Sequence, residues 1–431
     1  MITAEIIVVG SELLLGGRAD TNSIFLAEML AEQGIEARFK TVVGDDIEDI
    51  CGVLAQASKR AKVVLVTGGL GPTVDDVTRE AMSKLTETSL RLRPRALRSI
   101  QARFKVVGRT VTANQRRQAY LPSGADLLRN TTGTAPGFSL KWRKCRIFCL
   151  PGVSHEARAM FLDSVLPILV KEHLFGQGIE SRSLQTFGLI EGVVDERIQG
   201  VVPEASGVQV GILASPLGVS VSLTRLPNAN RFNAKIGNEN RENFNVPLEE
   251  YLMNLSTKLQ PFVFGLDGQP MEEIIGQALS KRGLTLAMAE SCTGGLIGHR
   301  LTQVPGSSSY MDRGVVCYSN QAKMDLLGVT KNILQKHGAV SAPVAKAMAE
   351  GIRSRSGVDL GLSVTGIAGP GGGTPIKPVG LVYVALSIQG KTFTKEFRFQ
   401  GDRNMVKLRA SQGALDVLRR WLFGISIADD D

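Results

Sequence analysis

A run of β-branched and apolar residues at positions 63–67, VVLVT, is the feature that most narrows the possible folds. A strand without charged residues is covered on both faces, which is typical of parallel sheets with helices on each side. Residues 5–10 and 36–43 predict two further strands, separated by a helix over residues 23–33 that Gly34 ends. This alternation predicts a doubly wound α/β sheet in the N-terminal part of the chain.

The length of 431 residues predicts two or three domains. Turn-forming segments at residues 175–178, FGQG, and 266–270, LDGQP, are candidate boundaries. We therefore expect an N-terminal α/β domain over residues 1–176, a small α+β connecting domain over 177–266 and a C-terminal α/β domain over 267–425. An exposed loop is expected at residues 228–245 and a loose acidic tail at 428–431.

The composition, 43% hydrophobic and 21% charged residues, is that of a globular protein. No apolar run approaches the roughly 18 residues that a transmembrane helix needs. The N-terminus has no basic region before its apolar residues, so we expect no signal peptide, a cytoplasmic location and no membrane partner. Five cysteines without a CxxC pair argue against a disulfide framework and a structural zinc site.

The net charge of +9 is concentrated in residues 84–129, a segment that contains eleven Lys and Arg residues and only two acidic residues, Glu87 and Asp126. Such a patch can bind a polyanion, so a non-catalytic, DNA-associated role is an alternative function. Only Phe104 and Tyr120 are available for base stacking. We favour a solvated surface in which one or two arginines serve a phosphorylated small molecule, and we expect no nucleic-acid partner. The cations are Lys84, Arg91, Arg93, Arg95, Arg98, Arg103, Lys105, Arg109, Arg116, Arg117 and Arg129.

Residues 289–323 carry five serines directly after a short apolar strand. In open α/β sheets, ligands bind at the carboxyl ends of strands. A serine hydroxyl can be deprotonated by a desolvated lysine, whose pKa falls on burial, and Lys323 is the only lysine here. The residue types leave three nucleophiles open, Ser291, Ser308 and Ser319, with Tyr318 able to relay a proton or orient the lysine. Alternatively, Ser291, Thr293 and Gly294 only cap a helix that starts near Leu296.

Two glycine-rich loops also follow predicted strands. In residues 67–80, TGGLGPTVDDVTRE, the glycines let the backbone approach phosphate oxygens, and Asp75 and Asp76 can hold a divalent cation that bridges those oxygens. That combination fits pyrophosphate cleavage, and the alternative is a tight turn in which an aspartate caps the next helix. The second loop, with Gly366 and Gly369, can cradle a phosphate.

The motifs AESCTGG, PGSSS, YSNQAK, VTGIAGPGGG and GDR in the C-terminal part resemble the nicotinamide-nucleotide amidase domain of the CinA (competence/damage-inducible protein A) family. The resemblance implies hydrolysis of nicotinamide mononucleotide to nicotinic acid mononucleotide and ammonia, without a cofactor. In the N-terminal half, GSELLLG, TGGLGPTVDD and NQRRQA are similar to molybdopterin-binding domains and imply a metal-dependent ADP-ribose pyrophosphatase. Pterin binding is a further possibility for that domain. The connecting domain resembles a KH domain but lacks the GxxG loop that clamps nucleic acid.

The resemblance also implies residue roles and a homodimer. Ser308 is the implied nucleophile and Lys323 the base, with Tyr318 and Ser291 in support and Arg403 near the substrate. The family's GVPSEM reads GVSHEA here, where His155 is local variation and Glu156 keeps the acidic position. Asp75 and Asp76 are the implied metal ligands. The implied substrate-binding residues are Thr293, Gly294, Thr365, Gly366 and Gly369 in the amidase, and Gly68, Gly69, Gly71, Thr73 and Asn114 in the N-terminal domain.

Overall fold

The computed structural model describes residues 2–17, 19–176, 178–225 and 246–427. They form two compact units, Met1–Glu180 and Ser181–Asp431. The expected loop at 228–245 and tail at 428–431 lie outside the described residues. In the described part of the chain, no helix is both long and apolar enough to cross a bilayer.

The first unit is built on a six-stranded sheet with the strand order β2-β1-β3-β8-β7-β6. Strands β2, β1, β3 and β8 are parallel, while β7 and β6 continue the sheet antiparallel. A separate two-stranded sheet joins β4 and β5. The strands are β1 Ile2–Val9, β2 Ile35–Val43, β3 Val63–Thr67, β4 Leu90–Leu92, β5 Tyr120–Pro122, β6 Asp126–Leu128, β7 Gly137–Trp142 and β8 Cys145–Leu150.

Helices cover both faces of this sheet, because successive strand residues point to opposite sides. Ile7 and Val64 lie in a core with helices α3 and α4, whereas Ile6 and Leu65 lie in a core with α2 and α7. The predicted doubly wound sheet is therefore confirmed. The helices are α1 Ser11–Leu14, α2 Asn22–Glu32, α3 Ile47–Arg60, α4 Thr78–Leu85, α5 Pro94–Val106, α6 Ala113–Arg117, α7 Ser154–Met160 and α8 Leu166–Lys171, with a π-helical turn Phe161–Val165 before α8.

The second unit contains two sheets, so the predicted division at residue 266 falls inside it. Its first sheet has the order β10-β11-β9-β12, and helices α9 and α10 pack on one face around Val221 and Leu255. The KH-like description of this part stays a prediction. The elements are β9 Glu180–Thr186, α9 Glu191–Ile198, β10 Val208–Ser215, β11 Gly218–Arg225, α10 Leu248–Leu259 and β12 Val263–Leu266.

The second sheet of this unit has the order β14-β13-β15-β16-β17. Strands β14, β13 and β15 are parallel, whereas β16 pairs antiparallel with both β15 and β17. Helices α11, α12 and α16 cover one face and α13, α14 and α15 the other. The elements are α11 Met271–Arg282, β13 Leu286–Glu290, α12 Leu296–Thr302, β14 Met311–Val316, α13 Asn320–Leu327, α14 Lys331–His337, α15 Ala342–Ser356, β15 Leu360–Gly366, β16 Leu381–Ile388, β17 Lys391–Arg398 and α16 Arg403–Leu422.

The last helix, α16, carries a charged cluster inside the protein. The Asp416 carboxylate accepts hydrogen bonds from Arg419 Nε and Arg420 Nε, both at 2.8 Å, and the three side chains are at most 4% exposed. Arg419 also donates to the carbonyl of Val263, at 3.0 Å, which links α16 to the first sheet of the unit. Buried charges persist only when they are paired and hydrogen-bonded. We therefore expect substitutions in this cluster to lower the stability of the second unit.

Candidate active site

The carboxyl ends of the three parallel strands β14, β13 and β15 lie at the same edge of the second sheet. Ser291 directly follows β13, its N–H donates to the carbonyl of Val364 in β15 at 3.0 Å, and Cys317 N–H after β14 donates to Glu290 O at 2.9 Å. These bonds extend the backbone pairing past the strand ends, so Ser291 lies between its two neighbouring strands. The structure confirms an α/β sheet here with polar residues at the carboxyl edge, where ligands bind in such folds.

Lys323 lies against Ser291 at this edge. Its Nζ is 3.1 Å from Ser291 Oγ, 2.8 Å from the carbonyl oxygen of Cys317 and 3.2 Å from that of Tyr318. Lys323 is 1% exposed and Ser291 7% exposed. An uncharged amine has two N–H donors, which match the two carbonyls, and one lone pair, which matches the serine hydroxyl. Burial lowers the pKa of Lys323 from its ordinary value of 10.5, which favours that uncharged form.

Glu290, the last residue of β13, holds the turn that carries Ser291. Its carboxylate accepts hydrogen bonds from Thr293 Oγ1 at 2.6 Å and from the N–H groups of Gly295 and Gly298 at 2.9 and 2.8 Å. A bond from Ile297 N–H at 3.2 Å completes the set. These donors belong to the turn and to the first residues of α12, whose N–H groups have no partner inside the helix. Glu290 therefore fixes both the helix start and the direction of the turn.

The structure does not bring together Ser308 and Lys323, the pair that the resemblance implies. Ser308 lies in a 3-10 turn, Ser307–Ser309, just before β14, whereas Lys323 follows the carboxyl end of that strand. Six strand residues rise about 3.3 Å each, so the two side chains lie at opposite edges of the sheet, roughly 17 Å or more apart. Ser308 is also exposed. Ser319, the third candidate, caps α13 by accepting Ala322 N–H at 3.0 Å. Ser291 is thus the serine that Lys323 contacts.

Arg403 and Tyr318 meet at the rim of the same edge. Arg403 Nη2 donates to the Tyr318 hydroxyl at 3.0 Å, and Arg403 Nη1 donates to the carbonyl of Gly369 at 2.7 Å. The guanidinium thereby joins the loop after β14 to the glycine loop after β15. Tyr318 orients Lys323 through its backbone carbonyl, while its phenol faces the arginine.

The remaining predicted residues of this site are placed mostly by contacts within the protein. Thr293 donates to Glu290, and Thr365 Oγ1 donates to Ala339 O at 2.9 Å. Gly294 has a φ of +65°, which glycine adopts without strain. A Cβ at Gly366 would lie 2.7 Å from a methyl carbon of Val382, so close packing requires glycine there.

The first unit has its own cavity, of about 530 Å³, at the carboxyl ends of β1, β3 and β8. Five carboxylates line it, from Glu12, Asp45, Asp75, Asp76 and Glu156, together with the glycine loop after β3. Glu156 accepts a hydrogen bond from Asn130 Nδ2 at 2.6 Å. Thr73 and Asn114 line a separate surface cavity beside the loop.

Close contacts within the first unit require glycine at three positions of this loop, and hydrogen bonds hold its backbone. A Cβ at Gly68 would lie 2.1 Å from Val9 O, one at Gly69 would lie 2.2 Å from Thr78 Oγ1, and one at Gly71 would lie 2.4 Å from Asp76 Oδ2. Asp76 accepts bonds from Gly71 N–H and Thr73 N–H, both at 2.8 Å. Arg79, 1% exposed, donates to Leu70 O at 2.6 Å beneath the loop.

Asp75 and Asp76 therefore differ in surroundings, because Asp75 is exposed whereas both oxygens of Asp76 bind the loop. Within the described ranges, no three His, Cys, Asp or Glu side chains are grouped closely enough to hold a metal ion. Carboxylates are the ligand type that Mg²⁺ and Ca²⁺ prefer, so the chemistry of the lining fits a divalent ion shared with a diphosphate. The metal role of the two aspartates stays a prediction.

Comparison with known proteins extends over nearly the whole chain. A model of the CinA C-terminal domain matches residues 268–422, and a model described as a probable molybdopterin binding domain matches residues 5–171. A putative competence-damage inducible protein of Halothermothrix orenii is 42% identical over 420 residues, which cover 97% of this chain and 98% of that protein. The chain belongs to the CinA family. A CinA-like protein of Kosmotoga olearia is 41% identical with the same coverage.

Among solved structures, the competence/damage inducible protein CihA of Agrobacterium tumefaciens is 42% identical. The match covers 35% of this chain and 94% of that one, with a TM-score of 0.34. The two family models divide this CinA protein into a molybdopterin-binding-like N-terminal domain and a C-terminal CinA domain. The names of the relatives record competence and damage induction and state no substrate.

Sequence reasoning missed two residues that shape these sites. Glu290 ends an otherwise apolar strand, and a carboxylate at that place, followed by a threonine and two glycines, is a signal for a buried cap. Arg79 lies in the first turn of α4, and nothing in the sequence separates it from a surface arginine. Its burial, which lowers the pKa of its guanidinium, is visible only in the folded chain.

Proposed function

We propose that the C-terminal CinA domain hydrolyses the carboxamide of nicotinamide mononucleotide, with Ser291 as nucleophile and Lys323 as base. The observation that supports it most is the 3.1 Å contact between Lys323 Nζ and Ser291 Oγ, made between two buried groups at the carboxyl edge of the sheet. Ser-Lys pairs of this kind activate serine without histidine or metal.

In the proposed reaction, Lys323 Nζ takes the Ser291 proton while Oγ bonds to the carboxamide carbon. The carbon–nitrogen bond then breaks as Lys323 returns the proton to the leaving nitrogen, which departs as ammonia. Water then attacks the resulting ester and loses a proton to Lys323. The bond between Ser291 Oγ and the acyl carbon breaks, Lys323 returns the proton to Oγ, and the acid leaves as its carboxylate after losing its own proton to solvent. Gly294 N–H and Gly295 N–H are already bonded to Ser291 O and Glu290, which leaves the N–H groups of Cys292 and Thr293 for the oxyanion.

The direct test incubates the full chain with nicotinamide mononucleotide in the presence of a strong chelator. We expect equal amounts of ammonia and nicotinic acid mononucleotide, because neither Ser291 nor Lys323 needs a metal. Ammonia is measured enzymatically and the nucleotides are separated by anion exchange. Absence of ammonia, or its loss on chelation, would refute the proposal. Salt-dependent retention of DNA by a protein without hydrolytic activity would instead favour the DNA-associated alternative.

The pH dependence of the reaction tests the lysine separately. Burial lowers the pKa of Lys323, and only the uncharged amine accepts the serine proton. We expect kcat to rise with pH through this lowered pKa, at a lower pH than an ordinary lysine with a pKa of 10.5 would give. Because the unfolded chain binds the same proton more tightly, the free energy of unfolding should rise with pH from this lowered pKa up to the ordinary value of 10.5. A kcat that is constant with pH would exclude Lys323 as the base.

We further propose that the N-terminal domain cleaves the diphosphate of ADP-ribose to AMP and ribose 5-phosphate, with a divalent ion held between carboxylates and the phosphates. The cavity with five carboxylates beside a glycine loop supports this activity. We expect turnover to stop on chelation and to fall at least about a hundredfold in Asp75→Ala, because Asp75 is the exposed acid of the loop.

The matched control is Asp49→Ala, which removes an exposed carboxylate in the first turn of α3, outside the cavity. Product separation measures both variants. Equal rates for Asp75→Ala and Asp49→Ala would contradict a role for Asp75, and full turnover after chelation would contradict the metal. Tight binding of molybdopterin with no cleavage of ADP-ribose would favour the pterin-binding alternative.

A further inference from the structure

Lys407 is a cation near Ser291, and it has no role in the proposed hydrolysis of the carboxamide. It lies one helical turn after Arg403 in α16, so both side chains share one face of the helix. At Gly294, in the Ser291 turn, the position of a Cβ has a single neighbouring atom within 4 Å, which is Lys407 Nζ at 3.7 Å. The ammonium group therefore lies directly over the nucleophile turn.

The charge of Lys407 has no ion-pair partner among the described residues. Within the part of the chain that the structure describes, its ammonium makes no hydrogen bond or ion pair, although the side chain is half-buried. The carboxylate that belongs to this turn, Glu290, is already bonded to four donors of the turn and of α12. Asp402, at the start of α16, accepts Met405 N–H at 2.8 Å. A half-buried ammonium without an acid beside it attracts an anion from solution.

Arg403 adds a second positive group on the same side. Its guanidinium is held by Tyr318 and Gly369, and its Cα lies about 6 Å along the helix axis from that of Lys407. The proposed substrate carries a carboxamide at one end and a phosphate at the other. Once the carboxamide is at Ser291, the phosphate needs a positive group near the rim of the same edge. An ammonium on a flexible stem is a common phosphate ligand.

We propose that Lys407, together with Arg403, forms the subsite for the 5′-phosphate of the substrate and makes the amidase selective for nucleotides over nucleosides. This inference rests on the proposed amidase function. Lys407 is a specificity-determining residue, and it takes no part in proton transfer.

The test compares nicotinamide mononucleotide with nicotinamide riboside, which has the same carboxamide and no phosphate. In Lys407→Met, which removes the charge and keeps the length, we expect kcat/KM for the mononucleotide to fall roughly tenfold to a hundredfold, through KM, because a charge-assisted bond is lost. Turnover of the riboside should be unchanged. Lys407→Arg should restore most of the preference. Lys281→Met, an exposed lysine at the end of α11, is the control and should affect neither substrate.

An equal loss with both substrates would show that Lys407 supports the fold or the reaction centre and would overturn the proposal. Unchanged kinetics with the mononucleotide would overturn it as well. Inorganic phosphate should inhibit riboside hydrolysis by the unaltered chain more strongly than hydrolysis by Lys407→Met. If the unaltered chain releases ammonia from neither substrate, the amidase function fails. Calorimetric binding of the mononucleotide to the unaltered chain and to Lys407→Met then decides on the phosphate subsite alone.

Discussion

Lys323→Met and Ser291→Ala should each reduce ammonia release from nicotinamide mononucleotide by about a thousandfold or more, whereas Ser308→Ala should leave it unchanged. Methionine has nearly the length of lysine, so Lys323→Met removes the base and keeps the buried volume. Ser291→Ala removes only the hydroxyl that lies 3.1 Å from Lys323 Nζ. Ser308 lies at the other edge of the sheet, and its exposed hydroxyl has no part in the proposed chemistry.

The rate of ammonia release in a single turnover is measured for the unaltered chain and for the three single variants. Calorimetric binding of the substrate shows that the site of each protein is intact. The double variant Ser291→Ala with Lys323→Met should be no slower than either single variant, because the two residues act as one unit. Loss of activity in Ser308→Ala together with full activity in Ser291→Ala would identify Ser308 as the nucleophile. Full activity in all three single variants would refute the proposed dyad of Ser291 and Lys323.

Asp416→Ala should lower the free energy of unfolding of the second unit by about 3–5 kcal/mol, because it removes the buried carboxylate that pairs with the buried Arg419 guanidinium. Arg419 and Arg420 are each 2% exposed and cannot turn to water without opening α16. The melting temperature should fall by roughly 10 °C. In a Trp142→Phe background, Trp421 is the remaining tryptophan, so its fluorescence reports this unit alone.

The matched control removes an aspartate from an exposed pair. Asp312 and Arg313 form an ion pair with side chains 35% and 53% exposed, so Asp312→Ala should change the free energy of unfolding by less than about 1 kcal/mol. A destabilisation in Asp416→Ala no larger than in Asp312→Ala would mean that solvent reaches the buried cluster.

Much of the second sheet could be predicted because its elements carry strong local signals. The apolar residues of α11 recur at helical spacing and Gly283 ends the helix with a φ of +63°, as glycine after a helix does. The antiparallel pair β16 and β17 and the polar edge after β13 were likewise predictable from apolar runs and the turns between them. Lys323 was singled out as the only lysine of its stretch, which needed no geometry.

Topology explains why Ser308 does not lie beside Lys323. In parallel strands joined by helices, residues between a helix and the next strand lie at the amino edge, while residues after a strand lie at the carboxyl edge. Ser308 stands between α12 and β14, and Ser291 stands after β13. Spacing along the chain does not distinguish these edges, but the order of strand and helix does. Glu290, by contrast, carries a sequence signal for a buried cap, but its four hydrogen-bond partners depend on the fold of the turn and are seen only in the structure.

The four hydrogen bonds of Glu290 have a consequence for binding. Because a carboxylate inside the protein holds the serine turn, the loop is preorganised before any ligand arrives. Association then carries no entropic penalty for ordering that loop, and more of the interaction energy remains to act on the transition state.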